Sequence, residues 1–110
     1  MDPRHLRAHL LELAGRREFL RSLAPDTDRY KLWLGDVFEF VNLAYGPDSA
    51  ELRELRDALI GRARPPADAS EEERAGEYRE RLEGLSGTLE RLARRIPEPI
   101  VFFESDGDRR

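Results

Sequence analysis

The sequence predicts an all-α protein: a four-helix up-and-down bundle followed by an extended apolar C-terminal tail. Three observations predict this fold. One long segment carries apolar residues at alternating steps of three and four, and four segments each begin at a helix-capping residue and end at glycine or proline. The only strand-like run is residues 100–103. Because a lone strand has no partner in a helical chain, we expect residues 1–96 to form the bundle domain and residues 97–110 the tail.

Composition narrows the class of protein. The chain has 110 residues, enough for one domain with a single modest core, and its net charge of −4 argues against a nucleic-acid-binding role. It has no cysteine, which excludes disulfides, thiolate zinc sites and a cysteine nucleophile. No apolar run is long enough to span a bilayer, and the N-terminus has no apolar signal-peptide core. We therefore expect a cytoplasmic protein.

The first predicted helix begins at the capping residue Asp2, with Pro3 at its first position, and ends before Pro25. Gly15 is expected to weaken or interrupt it at a cost of about 1 kcal/mol. The second helix begins near Asp26 or Thr27, runs to about residue 45 and ends at a glycine followed by proline. Because the second helix is apolar around most of its circumference, we expect it to be the most deeply buried element.

The third helix is predicted to begin at Asp48, with Glu51 as its capping-box partner, and to end at Gly61. A proline-containing loop over residues 62–69 follows. The fourth helix begins at a second capping box, Ser70 with Glu73, and runs to about residue 96. The predicted core of the bundle consists of Leu6, Leu10, Leu13, Leu20, Trp33, Val37, Phe40, Val41, Leu52, Leu55, Leu59, Leu82, Leu85, Leu89 and Leu92.

The fourth helix carries a heptad stripe, and the charged residues that border it are all arginines. The stripe consists of Ala75, Tyr78, Leu82, Leu85, Leu89, Leu92 and Ile96. Two copies paired along it would bring arginine against arginine, so we expect the stripe to be covered within its own chain. The third helix offers acidic edges for those arginines, and we expect the fourth helix to pack on the second and third.

Two surfaces are left over for a partner. The face of the fourth helix opposite the stripe carries Gly76, Glu80, Gly84 and Gly87, and glycines on one side of a helix permit close approach of another backbone. The tail carries the apolar residues Ile100, Val101, Phe102 and Phe103. An extended segment of this kind can add to a neighbouring molecule. These eight residues are the predicted partner-binding positions.

Motifs for chemistry are sparse. His5, His9 and Glu12 have the spacing of residues on one helix face that share a metal ion or carry out acid–base catalysis. No H-E-x-x-H arrangement, phosphate-binding glycine loop or catalytic triad accompanies them. We therefore assign no catalytic, cofactor-binding or metal-binding residue, and keep a site at His5 and His9 as an alternative.

A second alternative is a small nucleic-acid-binding subunit. It would use arginines along the last helix to contact phosphates, and its salt dependence would be steep. The two candidate sets are Arg74, Arg81 and Arg95, or Arg91, Arg94 and Arg95.

A longer pattern gives a resemblance. Tyr30-x-x-Trp33-x-x-x-Val37, followed by an Ala-Tyr-Gly-x-Asp-Ser turn at residues 44–49, resembles small all-helical accessory domains of bacterial antiviral defence proteins. The resemblance covers residues 27–60. It implies a bacterial interaction or regulatory module without catalytic residues. The function we expect is a non-enzymatic protein-interaction module, acting as a homo-oligomer or as a small subunit of a larger assembly.

Overall fold

The computed structural model describes residues 2–60 and 65–96, of which 78% are helical and none form a strand. The helices are α1 (Pro3–Gly15), α2 (Arg17–Arg21), α3 (Asp28–Tyr45), α4 (Ala50–Ile60) and α5 (Glu71–Arg94). The first predicted helix is interrupted directly after Gly15, as expected, and α1 with α2 forms one side of the bundle. The all-α bundle is confirmed. The end of the third helix at Gly61 and the tail, residues 97–110, lie outside the described residues.

The helices follow an up-and-down order. Helix α1 packs against α2, α3 and α5. Helix α4 packs against α3 and α5, and α5 also contacts α2. Arg17 pairs with Glu90, whereas Arg21, one turn later, pairs with Glu83. Because the numbers of the paired residues rise along α2 and fall along α5, these two helices run antiparallel. No helix of the described ranges is long and apolar enough to cross a membrane.

The heptad stripe of α5 forms the centre of the core. Its residues from Tyr78 to Leu92 are at most 1% exposed, as the periodicity predicted. Helix α5 packs mainly against α1 and then α4. The third predicted helix, α4, is therefore a partner as expected, whereas α1 takes the place expected for the second predicted helix, α3. Ser86 and Ala93 are fully buried on the edge of α5 that faces α1 and α2, and their small side chains permit this close approach.

The expectation that the second predicted helix is the most deeply buried is wrong. Helix α3 buries one stripe, Tyr30, Trp33, Val37 and Val41. Leu32 and Leu43, three turns apart on its outer side, are 70% and 74% exposed. In a ring of four helices each helix is covered by two neighbours only, so an apolar residue on the outer side of α3 has nothing to pack against.

Helix ends are set by local hydrogen bonds. Thr27 caps α3 by accepting the Tyr30 N–H at 3.4 Å, and α3 ends at Gly46, whose φ is +104°. The predicted cap of α4 at Asp48 is wrong by one residue, because the Ser49 hydroxyl accepts the Leu52 N–H at 3.1 Å. The capping box at the start of α5 is confirmed, with both of its hydrogen bonds formed.

The predicted core agrees with the structure for most residues. Leu6, Phe40 and Leu59 are only partly buried and pack against the edge of the core. The prediction missed several residues that are almost completely buried. These are Ala14, Ser86, Thr88 and Ala93.

Candidate interaction surfaces

The glycine face, defined by Gly76, Glu80, Gly84 and Gly87, lies on the side of α5 opposite the buried stripe. A methyl group added at Gly76 would meet nothing within 4 Å, and one at Gly87 would meet only the flexible end of Arg91 at 3.7 Å. Packing in the described residues therefore does not require glycine at either position. The backbone there is open to approach from outside.

A shallow depression joins the glycine face to α2. Its volume is about 510 Å³, and Arg21, Arg79, Glu80, Glu83 and Gly84 line it. The ion pair between Arg21 and Glu83, 2.7 Å long, spans the boundary between α2 and α5. The depression therefore presents charges of both signs beside the glycine face.

A larger groove opens between the start of α3, the end of α4, residues 65–67 and the first half of α5. Its volume is about 1100 Å³. The apolar residues that line it are Pro25, Leu34, Leu59, Ile60, Pro65, Pro66, Ala67 and Ala75. Ile60 is 67% exposed. The sequence reasoning missed this groove, because its residues come from four separate segments and share no spacing.

Arg81 forms the polar wall of the groove. Its guanidinium donates hydrogen bonds to both carboxylate oxygens of Glu77, to Asp26 Oδ1 at 2.9 Å and to the Tyr30 hydroxyl at 3.2 Å. The hydrogen bonds with Glu77 are the main cause of a pKa of Arg81 well above its usual value. Asp26 reaches Arg81 from a left-handed backbone conformation, φ +59°, which aspartate tolerates better than most residues. The cation is therefore fixed and neutralised within the chain.

The two buried tyrosines beside Arg81 act through packing and hydrogen bonds. Tyr30 and Tyr78 meet edge to face with ring centres 5.2 Å apart, and the Tyr78 hydroxyl donates to the Leu20 carbonyl at 2.8 Å. Burial raises the pKa of both phenols. Both hydroxyls are therefore neutral near pH 7, which suits a structural role.

The arginines of the last helix are largely occupied. Arg95 donates two hydrogen bonds to Glu54 of α4, at 2.9 and 3.2 Å, and Arg91 lies 3.5 Å from the same carboxylate. The hydrogen bond from Arg95 is the main reason that the pKa of Glu54 is lowered. Arg74 donates to the Ala67 carbonyl at 2.8 Å. Contacts to phosphates through either predicted arginine set would compete with these bonds.

The predicted histidine site is not brought together with further ligands. His9 packs its ring 4.2 Å from Phe40, and its Nδ1 lies 3.4 Å from a Glu12 oxygen. Glu12 also pairs with Arg16 at 3.1 Å. Within residues 2–60 and 65–96, no group of three or more His, Cys, Asp or Glu side chains could hold a metal ion. The His9 ring instead joins α1 to α3.

Comparison with known proteins gives no relative. No family model matches the sequence, and no curated protein or solved structure matches the chain. The argument for function therefore rests on the surfaces described above. The predicted partner-binding residues Ile100, Val101, Phe102 and Phe103 lie outside the described residues.

Proposed function

We propose that this protein is a non-enzymatic helical protein-interaction module that self-associates through the glycine face of α5. The observation that carries the proposal is the open space at Gly76, together with Gly87, where only the flexible end of Arg91 lies within 4 Å. Each glycine inside a helix costs about 1 kcal/mol relative to alanine, and nothing in the described chain offsets that cost. Close approach of a second helix backbone would offset it.

The heptad stripe supports the same proposal by exclusion. Leu82, Leu85 and Leu89 are buried in their own chain, and Arg95 at the border is neutralised by Glu54. A partner therefore has to use an outer surface. The resemblance of residues 27–60 to antiviral-defence accessory domains also implies an interaction or regulatory subunit.

Charge along the outer side of α5 favours a second copy in antiparallel orientation. Exposed Glu72 lies in the first turn and exposed Arg94 in the last, with the glycine face between them. When two such helices lie antiparallel, the acidic end of each faces the basic end of the other. This arrangement is attractive at both ends, whereas a parallel pair sets like charges against each other.

The test separates folding from association. We expect Gly76→Ala and Gly87→Ala to raise the free energy of unfolding of the protomer by up to about 1 kcal/mol each, because neither methyl group clashes with the protomer: one meets open space and the other an ordinary contact with Arg91. We expect the same changes to weaken self-association, measured by light scattering over a range of protein concentrations. Gly35→Ala on α3 is the matched control: it also meets open space, and we expect it to leave association unchanged.

A charge exchange tests the orientation. Glu72→Arg or Arg94→Glu alone should weaken the dimer, and the two changes together should restore it. A chain that stays monomeric at all concentrations, or a dimer that is indifferent to both glycine changes, would contradict the proposal.

A further inference from the structure

We infer that α3 and α4 carry two matching surfaces through which one copy of this chain binds a second copy, at a place separate from the glycine face. The α3 surface consists of Leu32, Asp36, Glu39 and Leu43. The α4 surface consists of Ser49, Arg53, Arg56 and Ile60. Three properties carry the inference: exposed apolar side chains, opposite charges without strong partners, and equal spacing along the two helices.

Both surfaces present large apolar side chains to solvent. Leu32 and Leu43 on α3 are 70% and 74% exposed, and Ile60 on α4 is 67% exposed. No other large hydrophobic side chain of the described residues is as exposed as these three. Removing such apolar area from water is the main driving force of most protein association.

The charges of the two surfaces are opposite. The side chains of Asp36 and Glu39 are exposed and have no hydrogen-bond or ion-pair partner in the part of the chain that the structure describes. The side chain of Arg56 is equally free there, and Arg53 donates only to the Asp48 carbonyl, at 3.2 Å. A second copy can therefore supply an opposite charge to each carboxylate.

The two surfaces have the same spacing. Each occupies positions i, i+4, i+7 and i+11, which lie on one side of a helix. When the two helices lie antiparallel, both carboxylates of α3 come opposite an arginine of α4, and one leucine comes opposite an isoleucine. The pairs are Leu32 with Ile60, Asp36 with Arg56, Glu39 with Arg53, and Leu43 with Ser49. The spacing also fits a parallel pair, but opposed helix dipoles favour the antiparallel one.

The neighbouring charges are compatible with this pairing. Asp57 lies beside the α4 surface, and in the antiparallel pair it comes opposite Gly35, which carries no side chain. A methyl group at Gly35 would meet nothing within 4 Å, so α3 is open to approach there. Arg29, near the start of α3, is held over the ring of Phe19 at 5.6 Å. Among the described residues of α3 and α4, this pairing therefore sets no charge directly opposite a like charge.

The contact is weak, because exposed ion pairs gain little energy in water and are screened by salt. We expect it at high protein concentration and low salt, and separate copies at the low concentrations at which unfolding is measured. Because the two surfaces are different patches, the contact is of the head-to-tail type, and one copy can bind two neighbours.

Charge reversal tests the inference in the full chain. One variant carries Asp36→Arg with Glu39→Arg, which makes both of its surfaces basic. The other carries Arg53→Glu with Arg56→Glu, which makes both of its surfaces acidic. We expect each variant alone to lose the contact by repulsion, and an equal mixture to bind at least tenfold more tightly than either alone. Light scattering over a range of protein concentrations at low salt measures this.

A chain with all four reversals is the matched control for net charge, because the two gains and the two losses of positive charge cancel. We expect it to associate as the unchanged chain does. An uncharged test is Leu32→Ser, which should weaken association. Leu11→Ser, at a leucine 39% exposed on α1, should leave it unchanged. Circular dichroism verifies that every variant keeps its helices.

The inference is overturned if the mixture binds no better than its two components, or if the chain with all four reversals stays apart. Equal effects of Leu32→Ser and Leu11→Ser would also overturn it. The outcome is separate from that of the proposed function, because none of these changes lies on the glycine face. If Gly76→Ala and Gly87→Ala weaken association while the mixture gains nothing, only the contact between α3 and α4 is lost.

Discussion

The indole N–H of Trp33 donates a buried hydrogen bond, 2.9 Å long, to the main-chain carbonyl of Leu13. In a continuous helix that carbonyl would accept the N–H of Arg17, but α1 ends at Gly15 and α2 begins at Arg17. The Tyr78 hydroxyl takes the carbonyl of Leu20 near the end of α2 in the same way. Each of these carbonyls also accepts a main-chain N–H, from Arg16 at 3.3 Å and from Leu23 at 3.0 Å, so the core aromatic side chain adds a second hydrogen bond near the end of each helix.

The first prediction concerns the Tyr78 hydroxyl. Tyr78→Phe removes one oxygen and one buried hydrogen bond, while the Leu20 carbonyl keeps its hydrogen bond from the Leu23 N–H, so we expect a loss of about 0.5–1.5 kcal/mol in the free energy of unfolding. Tyr45→Phe is the control, because the Tyr45 hydroxyl makes no hydrogen bond within the described residues. Urea denaturation measures both. Equal small losses would show that the hydrogen bond contributes nothing.

The second prediction concerns Arg81 and Glu77. Arg81→Met leaves the Glu77 carboxylate, whose side chain is 18% exposed, without its cation, and we expect a destabilisation of about 2 kcal/mol. Adding Glu77→Gln should recover part of that loss, because the stranded charge is removed. A double-mutant cycle by denaturant unfolding measures the coupling. Strict additivity of the two changes would contradict the ion pair.

A third prediction tests the centre of the core. Leu85→Ala opens a cavity at a fully buried position and should cost about 2–5 kcal/mol. Leu32→Ala removes the same atoms from a side chain that is 70% exposed, and should change stability by less than about 0.5 kcal/mol. Thermal unfolding compares the two. A large effect of Leu32→Ala would mean that the outer side of α3 is covered in solution.

The fourth prediction concerns pH. The hydrogen bond from Arg95 lowers the pKa of Glu54 in the folded protein, so ionised Glu54 contributes stability above its ordinary pKa of about 4.3. That contribution is lost as the pH falls through the lowered folded value. We therefore expect wild type to be more stable than Glu54→Gln at pH 7, with the difference disappearing below pH 4. Chemical denaturation at several pH values measures it; a constant difference down to pH 3 would contradict it.

The sequence predicted what depends on local spacing. The 3-4 stripe on α5, the interruption after Gly15 and the capping box at Ser70 each involve residues within a few positions of one another, and the structure confirms all three. The need of the α5 arginines for acidic neighbours was also predictable. Glu54 of α4 meets that need at Arg95.

The features that the sequence did not predict depend on which helices become neighbours in the fold. An apolar residue on α3 is equally compatible with burial or exposure, and only the ring arrangement leaves Leu32 and Leu43 outside. The contact of Asp26 with Arg81 joins positions 55 residues apart through an unusual backbone conformation, which no periodicity reveals. The groove likewise exists only after α3, α4 and α5 have packed.

The three ion pairs between α2 and α5 also favour one alignment of these helices along each other. Arg17 meets both Glu83 and Glu90, and Arg21 meets Glu83. A slip of one turn in one direction would set Arg21 opposite Arg79, and a slip in the other direction would set Arg17 opposite Arg94. Each misalignment thus brings two cations together, so the correct alignment is selected by repulsion in its rivals as well as by its own attraction.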